Sequence, residues 1–431
     1  MRRADHELLS QTGPGTPMGT LLRRYWVPAL LSEELPEPGG APVRVRLLGE
    51  NLVAFRDTQG RVGLLGEYCS HRGASLYFGR NADGGLRCAY HGWKYDIAGN
   101  CLDMPNVPPT STFKQRIRHP AYPCVERAGV VWAYLGPPES QCPLPELEFL
   151  LVPESHVYVS KRFQECHWTQ GMDGDLDSSH VGFLHANLIH TQSTAGDATA
   201  AQWTEHIAHD QVPTIEVRHT AHGLLIGARR SADPAHYYWR INQWLIPWYT
   251  TIPPWTGDGP IAAHAWVPID DAHCWAYAFT WHPTRPLTAA DRAYMLERPD
   301  GMYSELIPGT YRPKRNREND YADPSWPLER DRIARMRYFQ DQDVAITESM
   351  GPLYDRTKEH LVPADVAIIQ MRARLVAAAR GLQKGIEPPG RDPAVYRVRP
   401  LSVRLPRSVT AWWEAVARHL VADPDTFIAS A

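Results

Sequence analysis

Two short segments that each combine a cysteine with a histidine place the strongest constraint on this chain. The first is Cys69-x-His71, and the second, after sixteen intervening residues, is Cys88-x-x-His91. Zinc accepts two sulfur and two nitrogen ligands, but its usual segments leave two to four residues between paired ligands, whereas the first segment leaves one. A [2Fe-2S] cluster with both cysteines on one iron and both histidines on the other takes one ligand per iron from each segment. The alternation of cysteine and histidine therefore favours such a cluster over zinc.

A second pair of histidines follows in the stretch GMDGDLDSSHVGFLH. His180 and His185 are five residues apart, so a regular helix would rotate one from the other by about 140°. Gly182 lies between them and permits a distortion that turns both toward one metal. Two histidines and one carboxylate form a facial triad that leaves positions open on Fe(II). The spacing predicts a mononuclear iron whose third ligand lies elsewhere in the chain.

The segment near residue 340 offers several acids for that third position. On a helical wheel, one stripe holds Met336, Phe339, Asp343, Ile346 and Met350. Asp341 and Glu348 fall on the opposite side. We expect the stripe to face the core, where an aspartate needs a partner, and iron would be one. Asp343 is therefore the predicted ligand, with Asp341 as the main alternative.

Composition restricts the class of protein. The 431 residues carry 45 Lys plus Arg against 48 Asp plus Glu, which provides no sustained field for a nucleic acid or an anionic membrane. The sequence shows no signal-peptide pattern, and apolar runs such as residues 26–31 are far too short to span a bilayer. Seven scattered cysteines are typical of reduced thiols that are available to a metal. We expect a soluble, cytoplasmic protein.

The pattern of strands and helices predicts an α+β protein. Short β runs separated by turn residues extend from about 41 to 135 and predict a small antiparallel β domain at 41–150. A helical segment at 1–40 precedes it, and a larger α+β domain at 151–431 follows. Three β segments are expected between 201 and 282, a long helix at 327–351, and a terminal helix at 408–422.

Several stretches resemble one family. The segments CSHRGASL and CAYHGWKYD are similar to the two ligand loops of Rieske proteins, and DLDSSHVGFLH resembles the iron motif D-x-x-H-x4-H of Rieske non-haem iron oxygenases. DQDVAITESMGPLYDRTKEHL, QTGPGTPMGTLLRRYW and AYPCVERAGVVWAYLGPPE are similar to segments of the phthalate dioxygenase-like group. The chain is identified as a member of this group, as an oxygenase (alpha) component.

The resemblance implies a fold, two cofactors and a reaction. The expected fold is a Rieske [2Fe-2S] domain followed by a helix-grip-like catalytic domain, in which helices flank an antiparallel sheet and residues 1–40 pack with it. The implied cluster ligands are Cys69, His71, Cys88 and His91, and the implied iron ligands are His180, His185 and Asp343. Electrons from NAD(P)H would arrive through a separate reductase, with or without a ferredoxin, and O2 would be used to hydroxylate or oxidatively O- or N-dealkylate an aromatic small molecule. The chain itself contains no G-x-G-x-x-G motif and no C-x4-C-x2-C run.

Asp177 is a candidate for electron transfer. It precedes His180 by three residues, so on one helical turn its carboxylate can accept the second ring N–H of that ligand. In similar oxygenases this aspartate also reaches a cluster histidine of the neighbouring subunit. The implied relay runs through His91, Asp177 and His180 across a head-to-tail interface, which closes as a homotrimer.

Candidate substrate residues lie on the predicted strands of the second domain. Arg229 and Arg240 occur in segments comparable to those that hold a carboxylate in phthalate-type members. Val181 and Gly182 stand where a phthalate binder has serines, which disfavours a phthalate-like diacid and leaves the substrate open. Five tryptophans, each more typical of ordinary core packing, are candidates for an aromatic pocket: Trp244, Trp248, Trp255, Trp266 and Trp275.

Two other functions remain open from the sequence. One is a Rieske electron-transfer protein whose second domain only binds a partner, which would lack the mononuclear iron. The other is a metal-dependent hydrolase with a structural Cys2His2 zinc site, which would be colourless. The ratio of iron to protein distinguishes the three hypotheses, because an oxygenase holds the two irons of the cluster and a third at the triad.

Overall fold

The computed structural model describes residues 1–186, 198–254, 259–297, 303–322, 336 and 338–422. It combines small antiparallel sheets in the N-terminal part with one large antiparallel sheet and its helices in the C-terminal part. This confirms the predicted α+β class. Within the described ranges, no helix combines the length and the apolar character that a bilayer-spanning segment requires.

The small β domain consists of two four-stranded sheets. The strands of the first, in spatial order, are Val43–Leu47, Glu50–Arg56, Val62–Gly66 and Ala121–Tyr122. The strands of the second are Arg80–Ala82, Gly85–Arg87, Lys94–Tyr95 and Cys101–Asp103. A separate core that includes Phe55, Leu65, Leu86 and Tyr95 joins the two sheets. Cys69 and Cys88 belong to that core, so the packing of the domain fixes both cysteine segments.

The N-terminal segment is not helical throughout. The helices Arg3–Ser10 and Pro17–Leu22 both pack against the helix Val366–Leu382. The fully buried residues Trp26–Leu31, however, form a strand that pairs with Val130–Tyr134. This part of the helical prediction is wrong, because six buried residues with an apolar partner strand satisfy their backbone groups in a sheet. The strand Cys124–Arg127 completes this three-stranded sheet.

The large sheet has eight antiparallel strands. Seven lie in the spatial order Val157–Gln164, Cys274–Trp281, Ile261–Pro268, Tyr249–Ile252, His236–Leu245, Gly223–Ser231 and Thr214–His219. The eighth, Leu401–Pro406, pairs with the first part of His236–Leu245. Six of these strands lie between residues 201 and 282, where three were predicted. One aromatic run was misread as a single strand because Pro247, which lacks an N–H, divides it into two antiparallel strands.

Helices cover parts of this sheet. They are Glu148–Leu151, Trp168–Leu176, Ala198–His209, Ala289–Glu297, Phe339–Ser349, Val366–Leu382 and Trp412–Ala415. Trp168–Leu176 packs on the central strands and also contacts Phe339–Ser349. The predicted long helix at 327–351 is described only from Phe339, because residues 323–335 and 337 lie outside the described residues.

The predicted terminal helix at 408–422 is also wrong in part. The α-helix ends at Ala415 and a single 3-10 turn follows at Ala417–His419. Arg399 N then donates to Leu420 O (2.9 Å) and Ala422 N donates to Arg397 O (3.1 Å). This extended pairing uses the backbone groups that a longer helix would need.

The small β domain and the large sheet share one continuous core. Phe279, on the large sheet, stacks on Phe149 (centroids 4.1 Å apart) and on Trp132 of the three-stranded sheet (6.2 Å). Aromatic contacts of this kind add to the stability that apolar burial provides. The first four-stranded sheet contributes Val45, Leu47 and Leu52 to this shared core, which fixes that sheet relative to the large sheet.

Candidate active site

The two cysteine segments form loops of the same construction. Gly73 N donates to Cys69 O (2.9 Å), and Gly92 N donates to Cys88 O (3.0 Å). Both glycines have a left-handed backbone, with φ of 73° and 75°. Residues with a Cβ rarely adopt this conformation, so each glycine allows the chain to turn back around its cysteine. The loops thereby direct one cysteine and one histidine each to the same end of the domain.

The donor groups at this end match a cluster with two inner thiolates and two outer imidazoles. Cys69 and Cys88 are each 3% exposed, while the rings of His71 and His91 are partly exposed, with centroids 4.4 Å apart. Tyr95 OH lies 3.2 Å from Cys69 Sγ. Burial raises the pKa of the Cys69 thiol, so a bound metal would be needed to keep it ionised. His71 Nδ1 is buried and has no hydrogen-bond partner in the described part of the chain, as expected of a metal ligand.

His180, His185 and Asp343 converge at a second site. The helix Trp168–Leu176 ends before Asp177, and a 3-10 turn at His180–Gly182 lets both histidines face the same point. Asp343 Oδ1 lies 3.1 Å from His185 Nε2 and 3.7 Å from His180 Nε2. The ligand atoms of all three residues lie within 4.8 Å of one another. The five-residue spacing is accommodated because the α-helix ends at Leu176, before the first histidine, whereas the sequence predicted a helix distorted at Gly182.

The tautomer of His185 indicates what belongs between these residues. Gln342 Nε2 donates to Met336 O (2.8 Å), which leaves Gln342 Oε1 to accept from His185 Nδ1 at 2.7 Å. In the neutral ring, His185 Nε2 then carries the lone pair, and this atom faces a carboxylate oxygen of Asp343. Such a contact is favourable only with positive charge between the two atoms, supplied either by a proton on His185 Nε2 or by a metal ion. Two imidazoles and one carboxylate are the donor set of a facial-triad Fe(II), so the residues fit the implied metal.

The local charges agree with this arrangement. Burial opposes ionisation of Asp343, but attraction to His185 and His180 outweighs burial and lowers the pKa of Asp343. Burial likewise disfavours the imidazolium of His180, but Asp177 and Asp343 outweigh burial and raise the pKa of His180. The site thus stabilises an ionised carboxylate next to positive charge, which a divalent cation would supply.

The structure brings Asp343 to the histidines and leaves Asp341 elsewhere. The stripe that contains Asp343 lines a cavity, and its members Ile346 and Met350 are 40% and 46% exposed. The predicted core-facing direction of this stripe is wrong. The opposite side of the helix is the buried one: Asp341 pairs with Arg315, and Glu348 accepts from Tyr321 OH (2.6 Å).

Loss of the Asp341 carboxylate is expected to destabilise the fold without affecting the metal. The Asp341→Ala substitution would leave the 8%-exposed Arg315 side chain with the half-exposed Glu305 as its remaining ion-pair partner among the described residues. We expect the free energy of unfolding to fall by about 3 kcal/mol. Urea denaturation measures this change, and Glu139→Gln, at an exposed position, is expected to stay within about 0.5 kcal/mol of the parent protein.

A cavity of about 300 Å³ adjoins the triad. Its lining includes His180, Asp343, Val181, Leu184, Ile252 and Trp266, together with several arginines. Of the five tryptophans considered from the sequence, Trp266 lies in this wall. Trp244 and Trp248 are completely buried in the core, and Trp275 packs between Phe163 and Tyr311. Trp255 lies outside the described residues.

The structure places only some of the predicted substrate residues on the side of the sheet that bears the cavity. Val181 and Arg240 line the cavity. Arg229 pairs with Trp239 across the strands and stacks on Tyr237, with its guanidinium 4.5 Å from the ring centroid. Because side chains alternate between faces of a strand, Arg229 and Arg240 point to opposite sides of the sheet. The structure therefore does not bring Arg229 to the cavity.

Arg230, the residue after Arg229, is a functional candidate that the sequence did not single out. It is 1% exposed and donates to Ser178 O (2.6 Å) and Ser178 Oγ (3.2 Å). Its Nε also donates to Asp210 O (3.0 Å). These bonds hold the loop between Asp177 and His180 against the large sheet. No local pattern reveals this contact, because the partners are 52 residues apart in sequence.

Asp177 lies beside His180 without bonding to its ring in a single chain. Its Oδ1 accepts from Ser179 N (2.7 Å), and its Oδ2 is 3.7 Å from His180 Nδ1, which is longer than a hydrogen bond. The Asp177 side chain is 26% exposed. A polar group supplied from outside the chain therefore has access to this carboxylate.

Gln342 is a second functional residue that sequence reasoning missed. Because it fixes the tautomer and orientation of His185, we expect Gln342→Leu to weaken Fe(II) binding by about 10- to 100-fold. Titration of the iron-depleted protein with Fe(II) measures this affinity. Gln340→Leu, on the same helix, serves as the control. It is expected to bind iron like the parent protein, because the Gln340 amide forms no hydrogen bond to a triad residue in the described part of the chain. An unchanged affinity of Gln342→Leu would contradict this role.

Comparison with known proteins agrees with both metal sites. Residues 25–114 match the Rieske [2Fe-2S] domain family, and residues 133–411 match the family described as LigXa C-terminal domain like. The chain is 39% identical to the 3-chlorobenzoate-3,4-dioxygenase oxygenase subunit of Comamonas testosteroni, over 95% of this chain and 96% of that protein. It is 36% identical to the phthalate 4,5-dioxygenase oxygenase subunit of Pseudomonas putida, over 88% and 86%.

More distant proteins share the architecture. The 5,5'-dehydrodivanillate O-demethylase oxygenase subunit of a Sphingobium species is 29% identical over 92% of this chain and 85% of its own. The crystal structure of dicamba monooxygenase bound to dicamba superimposes with a TM-score of 0.57 at 17% identity, over 85% of this chain and 99% of that one. These matches exclude the electron-transfer protein and the zinc hydrolase. The chain belongs to the Rieske non-haem iron oxygenases, as a terminal oxygenase component with a Rieske [2Fe-2S] cluster and a mononuclear iron.

Proposed function

We propose that this oxygenase acts on a small aromatic acid, by ring hydroxylation or by oxidative O- or N-dealkylation. The observation that carries the proposal is a triad of potential iron ligands, two of which, His180 and Asp343, line one cavity of about 300 Å³ whose wall combines apolar residues with arginines. A cavity of this kind suits a ring with an anionic substituent. Two of the similar proteins are named for benzoate-type acids, which supports the same substrate class.

We assign the metal ligands as follows. Cys69 and Cys88 bind one iron of the cluster and His71 and His91 bind the other. His180, His185 and Asp343 bind Fe(II), which when present supplies open positions for O2. Around it, Gln342 holds the His185 ring, and the ring of Phe339, 3.5 Å from it, excludes water from that side. The apolar cavity wall keeps the substrate and the reacting oxygen out of bulk solvent.

We further propose that electrons pass between subunits. Asp177 and His91 are both partly exposed, so each is accessible to a neighbouring chain. In a head-to-tail homotrimer, the Asp177 carboxylate would bridge His180 of one chain and His91 of the next. The 3.7 Å gap between Asp177 Oδ2 and His180 Nδ1 is short enough to close when a second donor orients the carboxylate.

The chain depends on other components. We propose that a separate NAD(P)H-dependent reductase reduces the cluster, directly or through a ferredoxin, and that the protein works in the cytoplasm. The names of the similar proteins as oxygenase subunits support a multicomponent system. We retain a division into an N-terminal segment (1–40), a Rieske domain (41–150) and a catalytic domain (151–431), with the strand Trp26–Leu31 pairing to the Rieske side.

A substrate panel with a surrogate reductase tests the proposed function. Substituted benzoates, phenoxybenzoates and methoxybenzoates are each compared with their neutral amides, and both product formation and NADH consumption are measured. We expect product from at least one acid, with NADH consumption coupled to it, and little product from the matched amide. A preference for the neutral compounds throughout the panel would contradict an aromatic-acid oxygenase.

A further inference from the structure

We propose that Arg162 binds the anionic group of the substrate and so determines the specificity for acids. This inference rests on the proposed function, because it identifies the side chain that recognises the acid group. Neither the cysteine segments nor the histidine motif points to this residue, which lies on the first strand of the large sheet, Val157–Gln164. The position of its side chain, its burial and the hydrogen bonds that the neighbouring acids already form support the proposal.

Arg162 reaches the cavity along a row of residues that crosses three strands. It pairs with Ala276, and Ala276 pairs with Trp266 on the next strand. Directly paired residues of antiparallel strands point to the same face, so all three lie on the face that bears the cavity. Ala276 is small, and the Arg162 guanidinium extends toward Trp266, 5.7 Å from its ring centroid. Both Arg162 and Trp266 line the cavity that contains His180 and Asp343.

The Arg162 side chain is buried and has no polar partner in the part of the chain that the structure describes. The residue is 4% exposed, and its Nε is buried without a hydrogen bond. Across residues 1–186, 198–254, 259–297, 303–322, 336 and 338–422, no carboxylate forms an ion pair with it. Arginine stays protonated, and a buried charge without compensation is unfavourable. A bound anion would offset this cost.

The acidic side chains that most influence the pKa of Arg162 already bind other groups. Asp175 accepts from His264 Nδ1 (3.0 Å), from Trp266 Nε1 (2.6 Å) and from Thr250 Oγ1. Asp341 is paired with Arg315, and Asp343 is directed at the two histidines. Burial lowers the pKa of Arg162, and the more distant attraction to Asp343 and Asp175 only opposes that shift. The charge of Arg162 is thus available to a ligand.

The other arginines of the cavity wall already bind protein groups. Arg372 pairs with Asp173 and with Glu359 Oε2 (2.7 Å). Arg356 donates to Thr169 Oγ1, and Arg240 donates to Pro253 O (3.4 Å). Arg162 lines the same cavity but differs from them because, among the described residues, its guanidinium forms no hydrogen bond or ion pair with a protein group. With an acid group bound there, the ring of the substrate would occupy the apolar part of the same cavity.

The test compares the binding of an acid and its neutral amide to the iron-loaded oxygenase. Calorimetry under anaerobic conditions measures the affinities for 3-chlorobenzoate and 3-chlorobenzamide in the parent protein, in Arg162→Met and in Arg162→Lys. We expect Arg162→Met to bind the acid about 30-fold more weakly and the amide within about 3-fold of the parent, since only the acid loses a charge-assisted hydrogen bond. Arg162→Lys, which keeps the charge but not the planar fork, should lose about 10-fold for the acid.

Arg229→Met is the matched control, because Arg229 lies in the same sheet on the opposite face. It should bind both compounds like the parent. The inference is overturned if Arg162→Met keeps the preference for the acid, or if it loses affinity for acid and amide equally with intact cluster absorption and iron content. If Arg162→Met does not fold, Arg162→Lys decides, and an unchanged acid affinity overturns the inference. A parent protein without preference for the acid would instead refute the proposed function.

Discussion

Asp343→Ala is expected to lose its mononuclear iron and all detectable turnover while it keeps the absorption spectrum of the Rieske cluster. Asp343 Oδ1 is the group that faces both His185 Nε2 and His180 Nε2, so its removal leaves two neutral imidazoles to hold the metal. The measured iron content should fall from three irons per chain to two, because the cluster ligands lie in a separate domain and keep their two irons. His180→Ala and His185→Ala are expected to give the same result.

Asp341→Ala provides the control on the same helix. Once folded at low temperature, it should retain three irons per chain, because Asp341 contacts Arg315 and not the triad. If Asp341→Ala loses the third iron and Asp343→Ala keeps it, the assignment of the triad is wrong.

Asp177→Asn is expected to fold, to keep both metal centres and to accept an electron at its cluster, and yet to show almost no turnover. The amide has nearly the same shape as the carboxylate, but it lacks the negative charge that would bind an imidazole N–H on each side. The measurement is the rate of cluster reoxidation in a prereduced sample with substrate and O2. Slow reoxidation with a normal cluster spectrum would place the defect in transfer between the centres.

Ser179→Ala serves as a control for the loop. Its backbone N–H, not its hydroxyl, bonds to Asp177, so the substitution leaves the position of that carboxylate unchanged. We expect reoxidation close to the parent rate. Near-normal turnover by Asp177→Asn, or full activity in a preparation that light scattering shows to be monomeric, would contradict the relay between subunits.

The residues that the sequence singled out by local spacing are the ones that the structure brings together. The cysteine segments need only a tight turn, which Gly73 and Gly92 supply, and His180 and His185 need only the helix to end before them. The fold class followed from the alternation of short β runs with turn residues. In each case, the signal comes from residues that are near one another in the sequence.

Contacts between distant segments were not predictable in the same way. Gln342 orients His185 from 157 residues away, and Arg230 holds Ser178 from 52 residues away. The helical wheel placed Asp343 correctly on one stripe, but it could not indicate that this stripe lines a cavity and that the polar side is buried. Arg229 was selected over Arg230 because sequence alone does not reveal which face of a strand points inward.

The position of Arg162 illustrates the same limit. Its role depends on a row of three residues from three strands and on the hydrogen bonds that occupy Asp175. None of these relations is visible in a linear pattern. They become apparent only when the burial of each charge and the partner of each acid are known.

A single-turnover experiment tests the central claim most directly. The oxygenase is reduced chemically, freed of reductant, and mixed with O2 and the acid that binds most tightly in the substrate panel, and product and cluster oxidation are measured in the same sample. We expect oxygenated or dealkylated acid to form without any reductase, in proportion to the mononuclear iron content, as the cluster is oxidised. Oxidation of the cluster without product in iron-replete protein, or equal product from Asp343→Ala, would contradict oxygenation of an aromatic acid at His180, His185 and Asp343.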